Sequence, residues 1–475
     1  MSTGTTTAPP GAPARLPSRL VGSIAFGTLL QALNSSMIAV ALVGIRTDFH
    51  AGADASWLVS ALYLATAVGA PTMGRLADLI GPRRVFLAGL LLVAVASVAA
   101  PFAPTLGVLI GCRVLLGLGT AAQYPAGIAM VRMAAARGAP PGAGATGRAP
   151  RGVRAASALG ILSVCSQTAV AFGPTLGGAL VGGFGWQSIF LVNLPFVAIG
   201  AVCVGRWGPA GTPRATHRPA GAAALRRLDP AGLALFAATM TALMLFLLSL
   251  ASAPRWWLLP VVLALGAALV GHELRAAEPF LDVRLLGRNR ALTGTYLRTA
   301  LTYVAFYAIF YGVPSWLEQG RGLSAAGAGL VVLPIAGLGV FMTLVATRLV
   351  RTRGPRLPLL FGSLGLLVGG VVLATVVHAA TPVLALLAVS AVLGLPNGFN
   401  NMGNQTSMYA AAPADATGAA SGLYRTSQYV GANLAAALIE LLSAGVAPDT
   451  GLHRLGVAVA GIAAVLLLGS LRRRR

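Results

Sequence analysis

The chain predicts an all-α polytopic membrane protein, and three observations carry that expectation. Of its 475 residues, 56% are hydrophobic and only 9% are charged, too little charged surface for a soluble protein of this size. Mean hydropathy is +0.80, and apolar runs recur along the whole length, each near the ~20 residues that cross a bilayer core as a helix. Between those runs the basic residues gather in alternate loops.

Residues 1–18 are rich in Thr, Pro, Ala and Gly and are expected to form a disordered tail. Arg15 and Arg19 precede the first apolar run without a convincing cleavage site, so that run is expected as a retained anchor rather than a signal peptide. Six spans near 20–43, 55–74, 84–101, 105–131, 155–182 and 186–206 make an N-terminal bundle over 19–206. A linker rich in Pro and Arg fills 207–228, and a helix pair near 229–251 and 256–275 is inserted within 229–290. Six more spans near 291–317, 324–347, 357–377, 381–411, 417–445 and 452–470 make a C-terminal bundle over 291–470, followed by a basic tail at 471–475. All fourteen are read as helices, because lipid offers the backbone no hydrogen-bond partner outside the helix itself. The irregular stretches 137–153 and 207–227 read as solvated linkers, with lipid-headgroup contact as the alternative.

The formal net charge is +23, and all 34 basic residues are arginine. In a soluble chain this would suggest nucleic acid. Here 27 of the arginines fall in one set of alternate segments and four (Arg46, Arg255, Arg321, Arg454) in the other. That bias is the positive-inside pattern; it puts both termini in the cytoplasm and requires an even number of spans. Cys112, Cys165 and Cys203 have no metal-ligand spacing and read as small packing residues. The five histidines are scattered, and the Gly-rich runs lack the Lys-Ser/Thr of a phosphate loop, so no metal, cofactor or nucleotide is expected. No acid, base and nucleophile converge in the spans, which argues against an enzyme.

One polar turn stands apart: Gly74-Arg75-Leu-Ala-Asp78-Leu-Ile-Gly81-Pro-Arg83-Arg84. Its charge density confines it to water beside the membrane. Shifted by 273 residues it meets Thr347-Arg-Leu-Val-Arg-Thr-Arg-Gly-Pro-Arg356, with Arg75, Leu76, Gly81, Pro82 and Arg83 repeated and Asp78 replaced by Arg351. Two such turns on one side of the membrane imply parallel halves.

This turn resembles the signature between the second and third spans of the major facilitator superfamily, matched at Gly74, Leu76, Ala77, Asp78, Gly81, Arg83 and Arg84. The resemblance implies the major-facilitator fold and gives Asp78, Arg75 and Arg83 the role of a cytoplasmic latch between the halves. Arg113-Val-Leu-Leu-Gly117-Leu-Gly119 is similar to the family's fourth-span motif, whose buried arginine is linked to proton coupling. Gly160, Ala169, Gly173, Pro174, Gly177 and Gly178 have the spacing of its antiporter motif, which implies export. Trp57, Tyr63 and Pro71 resemble the drug-exporting branches, and Gly185-Trp186-Gln187-Ser-Ile-Phe190-Leu-Val-Asn193-Leu-Pro195 and Gly418-Ala-Ala-Ser421-Gly422 resemble the drug–proton antiporters with fourteen spans. That branch commonly has an aspartate in its first span where this chain has Asn34, which cannot titrate. Glu440 is the one acid inside an expected span of the two six-helix bundles, so it joins Arg113 as a coupling candidate.

Polar residues sketch a cavity. Asn397, Asn400 or Asn401, and Asn404 recur at helical spacing in the twelfth span. Gln31, Asn34, Gln123, Tyr124, Gln167, Arg425 and Gln428 are further candidates, and Tyr296, Tyr303, Tyr307 and Tyr311 form a stripe suited to flat, lipophilic substrates. The resemblance implies a monomeric exporter of drugs or antibiotics in the bacterial inner membrane, exchanging them for protons within lipid. The same residues fit an exporter of one metabolite or lipid.

Overall fold

A computed structural model describes residues 18–51, 57–137, 160–162, 164–165, 168–169, 173, 176–209, 229–250, 254–277, 279–323, 325–413, 416–443 and 445–471. The tail at 1–17, most of the two Pro/Arg-rich segments, Gln167, Pro174, the Glu440 side chain and the terminal arginines lie outside the described residues.

The described chain is helical throughout. Its first group contains α1 (Ser18–Asp48), α2 (Trp57–Ile80), α3 (Pro82–Ala99), α4 (Leu106–Ala121), α5 (Gln123–Arg137), the short α6 (Ser188–Leu191) and α7 (Asn193–Trp207). Helical residues between 160 and 184 belong to it as well. The inserted pair is α8 (Pro230–Leu250) and α9 (Leu258–Glu273). After a short α10 (Val283–Arg288), the second group contains α11 (Arg290–Arg321), α12 (Ala325–Arg353), α13 (Arg356–Thr375), α14 (Val383–Ala411), α15 (Thr417–Ser443) and α16 (Pro448–Leu471). Eleven stretches among the described residues are long and apolar enough to cross a membrane, α4 and α5 forming one of them. The apolar α9 is shorter, α15 carries more polar residues, and 160–184 is described in part, so the helices account for about eleven to fourteen crossings.

The charged turn forms a tight helix–helix corner. Gly81 sits between α2 and α3 with φ of +103°, a conformation open to glycine, and Pro82 occupies the first turn of α3, where its missing N–H costs nothing. The second copy repeats this, with Gly354 at φ +76° before Pro355 and α13. Each group also has a tryptophan-to-aspartate bond at its opposite end. Trp186 Nε1 donates to Asp48 (2.6 Å), and Trp316 Nε1 donates to Asp449 (2.8 Å).

Packing divides the molecule along its length. At the far end each group has a core of its own, one around Met37, Leu62 and Phe190 and the other around Ile309, Leu373 and Val459. At the arginine-rich end a single core joins both, with Phe86, Tyr124 and Val131 packed against Tyr296, Met402 and Tyr424. Of the inserted pair, α8 lies over the line where α2 meets α15, with Met244 packed among Ala67 and Tyr429, and α9 packs on α8.

At the basic end of the pair, Asp229 immediately precedes α8. It accepts from the Gly232 N–H (3.1 Å) and lies 2.9 Å from His272 Nε2. Burial resists its ionisation, but these bonds outweigh burial and hold its pKa below the ordinary value.

Candidate functional site

The two groups are sewn together at their basic end along α2 and α15. The Asp78 carboxylate accepts from the backbone N–H of Gly418 (2.9 Å) and of Ala419 (2.9 Å). Those amides belong to the first turn of α15, where no helical carbonyl is available to them, and the positive end of the helix dipole favours the carboxylate. Above this cap a Cβ on Gly74 would run into the Gly418 carbonyl, and one on Gly422 into the Ala70 carbonyl. Glycine at these positions is what lets the two backbones touch. Thr426 Oγ1 then donates to the Ala67 carbonyl (2.8 Å), extending the seam by two more turns.

Arg132 of α5 adds a second tie, donating to the carbonyls of Ala412 (3.2 Å) and Pro413 (3.0 Å) and to Thr417. The other latch residues behave differently from Asp78. Arg83 donates to the Gly205 carbonyl, within its own group, and the Arg75 Nε has no partner among the described residues. The bridging carboxylate therefore acts on backbone amides of the opposite group rather than through the arginines beside it.

Above the seam lies a cavity of about 430 Å³ between the groups. It runs from Tyr124 and Gln405 near mid-membrane to Leu42, Val59 and Tyr311 toward the far end. Its walls are largely aromatic. Tyr303, Tyr307 and Tyr311 project from one stripe of α11, with rings 5.9 Å and then 5.3 Å apart, and Phe306 and Phe310 stack beside them at 5.5 Å. Tyr63 meets Tyr429 across the two groups at 5.7 Å.

The polar floor is a connected set. Arg425 Nη1 donates to Gln428 Oε1 (2.9 Å), Gln428 Nε2 donates to the Tyr303 hydroxyl (2.9 Å), and Gln405 Nε2 donates to the Tyr124 hydroxyl (2.7 Å). The Arg425 guanidinium also lies 4.2 Å from the centre of the Tyr124 ring, a cation–π contact across the groups.

Of the residues expected in a cavity, Gln31, Tyr124, Tyr303, Asn397, Arg425 and Gln428 line it. Tyr296 of the expected stripe does not line it, its hydroxyl donating to the Ala420 carbonyl (3.0 Å), and four amides are placed elsewhere. Asn34 pairs with Asn193 inside the first group (2.8 Å), and Gln123 donates to the Gly119 carbonyl (3.1 Å). Asn404 accepts from Arg298 (2.6 Å), and Asn400 packs against Gly362. For Asn34 and Asn404 the physical reason is the same: a polar group in a membrane is satisfied as well by a neighbouring helix as by a watery cavity. Gln123 instead bonds back along its own helical stretch, and Asn400 Nδ2 has no partner among the described residues. Asn401, the expected alternative to Asn400, does line the cavity, and Gln405 and Tyr429 join it. Asn397, Asn401 and Gln405 lie at i, i+4 and i+8, so continuing the amide spacing one turn would have found Gln405.

Arg113 is fully buried among helices of the first group. Its Nε donates to the Leu58 carbonyl (2.9 Å), and its Nη1 and Nη2 donate to the Asn34 carbonyl (3.3 and 3.4 Å). Every one of these acceptors is backbone. In the antiporter-type segment, Gly160 abuts Thr347 of the second group, while Gly173 and Gly177 lie against Ser36 and Met37 of α1. Gly178 lies in the helical stretch 176–184. Among the described residues no cluster of His, Cys, Asp or Glu has the geometry of a metal site.

Comparison with known proteins matches residues 24–436 to the model of the Major Facilitator Superfamily. The chain is 35% identical over 422 residues to the uncharacterized MFS-type transporter YwoD of Bacillus subtilis (strain 168), covering 88% of this chain and 89% of that one. It is 29% identical over 414 residues to the multidrug efflux pump LfrA of Mycolicibacterium smegmatis, covering 86% and 77%. Among solved structures, the human organic anion transporter MFSD10 superposes with a TM-score of 0.65 over 96% of this chain and 98% of its own. At 14% identity that is a likeness of fold alone.

Proposed function

Since the chain belongs to the major facilitator superfamily, we propose that it is a secondary transporter that exports lipophilic or amphipathic compounds by alternating access, in exchange for protons. The observation that carries this reading is the aromatic cavity between two helix groups, closed beneath by the Asp78 seam. The arginine bias puts the basic end in the cytoplasm, so this conformer faces outward, with its cytoplasmic gate shut. Breaking the α2–α15 seam and closing the far end would turn the cavity inward, and the two halves rock about it.

In this reading fourteen spans are arranged as six, an inserted pair and six, with bundles over 19–206 and 291–470. A large, ring-lined cavity suits flat apolar compounds of varied shape, and the relative named a multidrug efflux pump supports the outward direction. Arg113 and Glu440 are the coupling candidates, and small molecule, proton and lipid are the partners.

Expression in an efflux-deficient bacterial host tests the function. Lower accumulation of, and raised tolerance to, several lipophilic compounds is expected; unchanged accumulation across the panel refutes export. Proteoliposomes test coupling separately. Transport that ignores an imposed pH gradient removes the proton, and unaltered coupling in Glu440→Gln removes that residue.

A further inference from the structure

The cavity is chemically lopsided. Among the described residues its lining has one charged side chain, Arg425, and no acidic one. Among the described residues no carboxylate pairs with Arg425; its neighbours are the Gln428 amide and the Tyr124 ring, and its Nε has no hydrogen-bond partner. Glu440 is on the same helix but 15 residues away, a rise of about 22 Å, so it lies out of reach. Arginine keeps its charge in proteins, and this half-buried guanidinium, with no counter-ion among the described residues, is stabilised by whatever anion can reach it. An amide and a π-face moderate that charge without neutralising it.

The surroundings specify the rest of the ligand. Beside the guanidinium rise the rings of Tyr303, Tyr307 and Tyr311, the first two tilted and the last two stacked, which accept a flat aromatic body. The Gln428 amide, bound to both Arg425 and Tyr303, holds the guanidinium facing the ring wall. We propose that the transported compound is an aromatic organic anion, its acid group seated on Arg425 and its ring system on the tyrosine stripe. The proposal rests on the reading of the cavity as the transport site. It excludes organic cations as preferred substrates, since a cation in this cavity meets like charge and no acid.

Three matched probes decide it: anthracene-9-carboxylate, its neutral carboxamide and the 9-(aminomethyl)anthracene cation, titrated against purified full-length protein in nanodiscs. The carboxylate is expected to bind at least about tenfold tighter than either of the others, the usual worth of a charge-assisted bond. Arg425→Gln should abolish the preference while the amide keeps its affinity, and Arg425→Lys should retain the preference for the anion with a weaker constant. Melting of both variants at the wild-type temperature shows that the loss is local. Equal binding of all three probes, preference for the cation, an undiminished preference in Arg425→Gln, or no binding at all overturns the proposal. Export itself is judged by the accumulation panel, so a neutral or cationic compound that is pumped out leaves the exporter standing and removes only the anion.

Discussion

Replacing Asp78 with Asn keeps the size of the side chain but removes its charge and turns one acceptor into a donor. The Asp78 carboxylate holds two first-turn amides of α15 at 2.9 Å. Charge-assisted bonds of this kind contribute roughly 1.5–3 kcal/mol each when buried, and a carboxylate at a helix N-terminus adds about 0.3–1 kcal/mol. Asp78 is only partly buried, and an asparagine oxygen can still accept one bond. The net loss in the closed-gate state is therefore about 1–2 kcal/mol, which shifts the balance between gate-closed and gate-open conformers about 5- to 30-fold. Hydrogen exchange of the 417–424 amides reads the cap directly, and their protection should fall by that factor while α13 and α16 stay as they were. Transport should drop with membrane insertion intact. Unchanged protection at 418 and 419, or wild-type export, would refute the argument that this carboxylate closes the gate.

Gly422→Val drives two methyl groups into the Ala70 carbonyl and Pro71; overpacking of about 1–3 kcal/mol should open the basic end, seen as faster thiol labelling of cysteines introduced along α2. Asn34→Ala should lower thermal stability by about 1–3 kcal/mol, because Asn193 loses its buried partner, yet leave the substrate range untouched in a growth panel. An altered range would put Asn34 back among the cavity residues. Asp229 has a depressed pKa, so its stabilisation is full above the ordinary carboxylate range near ~4 and is lost as pH falls through the lower native value. Melting of the detergent-purified protein should weaken by about 1 kcal/mol across that acid window, typical of a helix cap, and Asp229→Asn should flatten the dependence.

The all-helical, many-crossing architecture was legible because lipid forces helices and leaves their apolar lengths in plain view. The Gly81-Pro82 and Gly354-Pro355 corners were legible too, since each needs a positive φ and a helix start at once. Tertiary choice was not. Asn397 and Asn400 are three residues apart, yet one faces the cavity and the other Gly362, and spacing alone cannot rank the two stripes. Asn404 is claimed by Arg298, 106 residues before it, a partner visible only once α11 and α14 are side by side. Arg113 was marked by the fourth-span motif it resembles, but its acceptors are main-chain carbonyls, which carry no signature in sequence. Arg425 and Gln428 were marked separately, and only the fold joined them with Tyr303 and Tyr124.

An arginine floor without a carboxylate also has an electrical meaning. A carrier that moves one monovalent acid outward per cycle sends one negative charge out of a cell whose interior is negative. Each 100 mV of membrane potential then contributes about 2.3 kcal/mol to the cycle, enough for about a fiftyfold gradient. With Asn34 in the first span rather than a titratable acid, the voltage across the membrane can supply work that a proton would otherwise have to bring, and Arg425 is where that voltage finds its load.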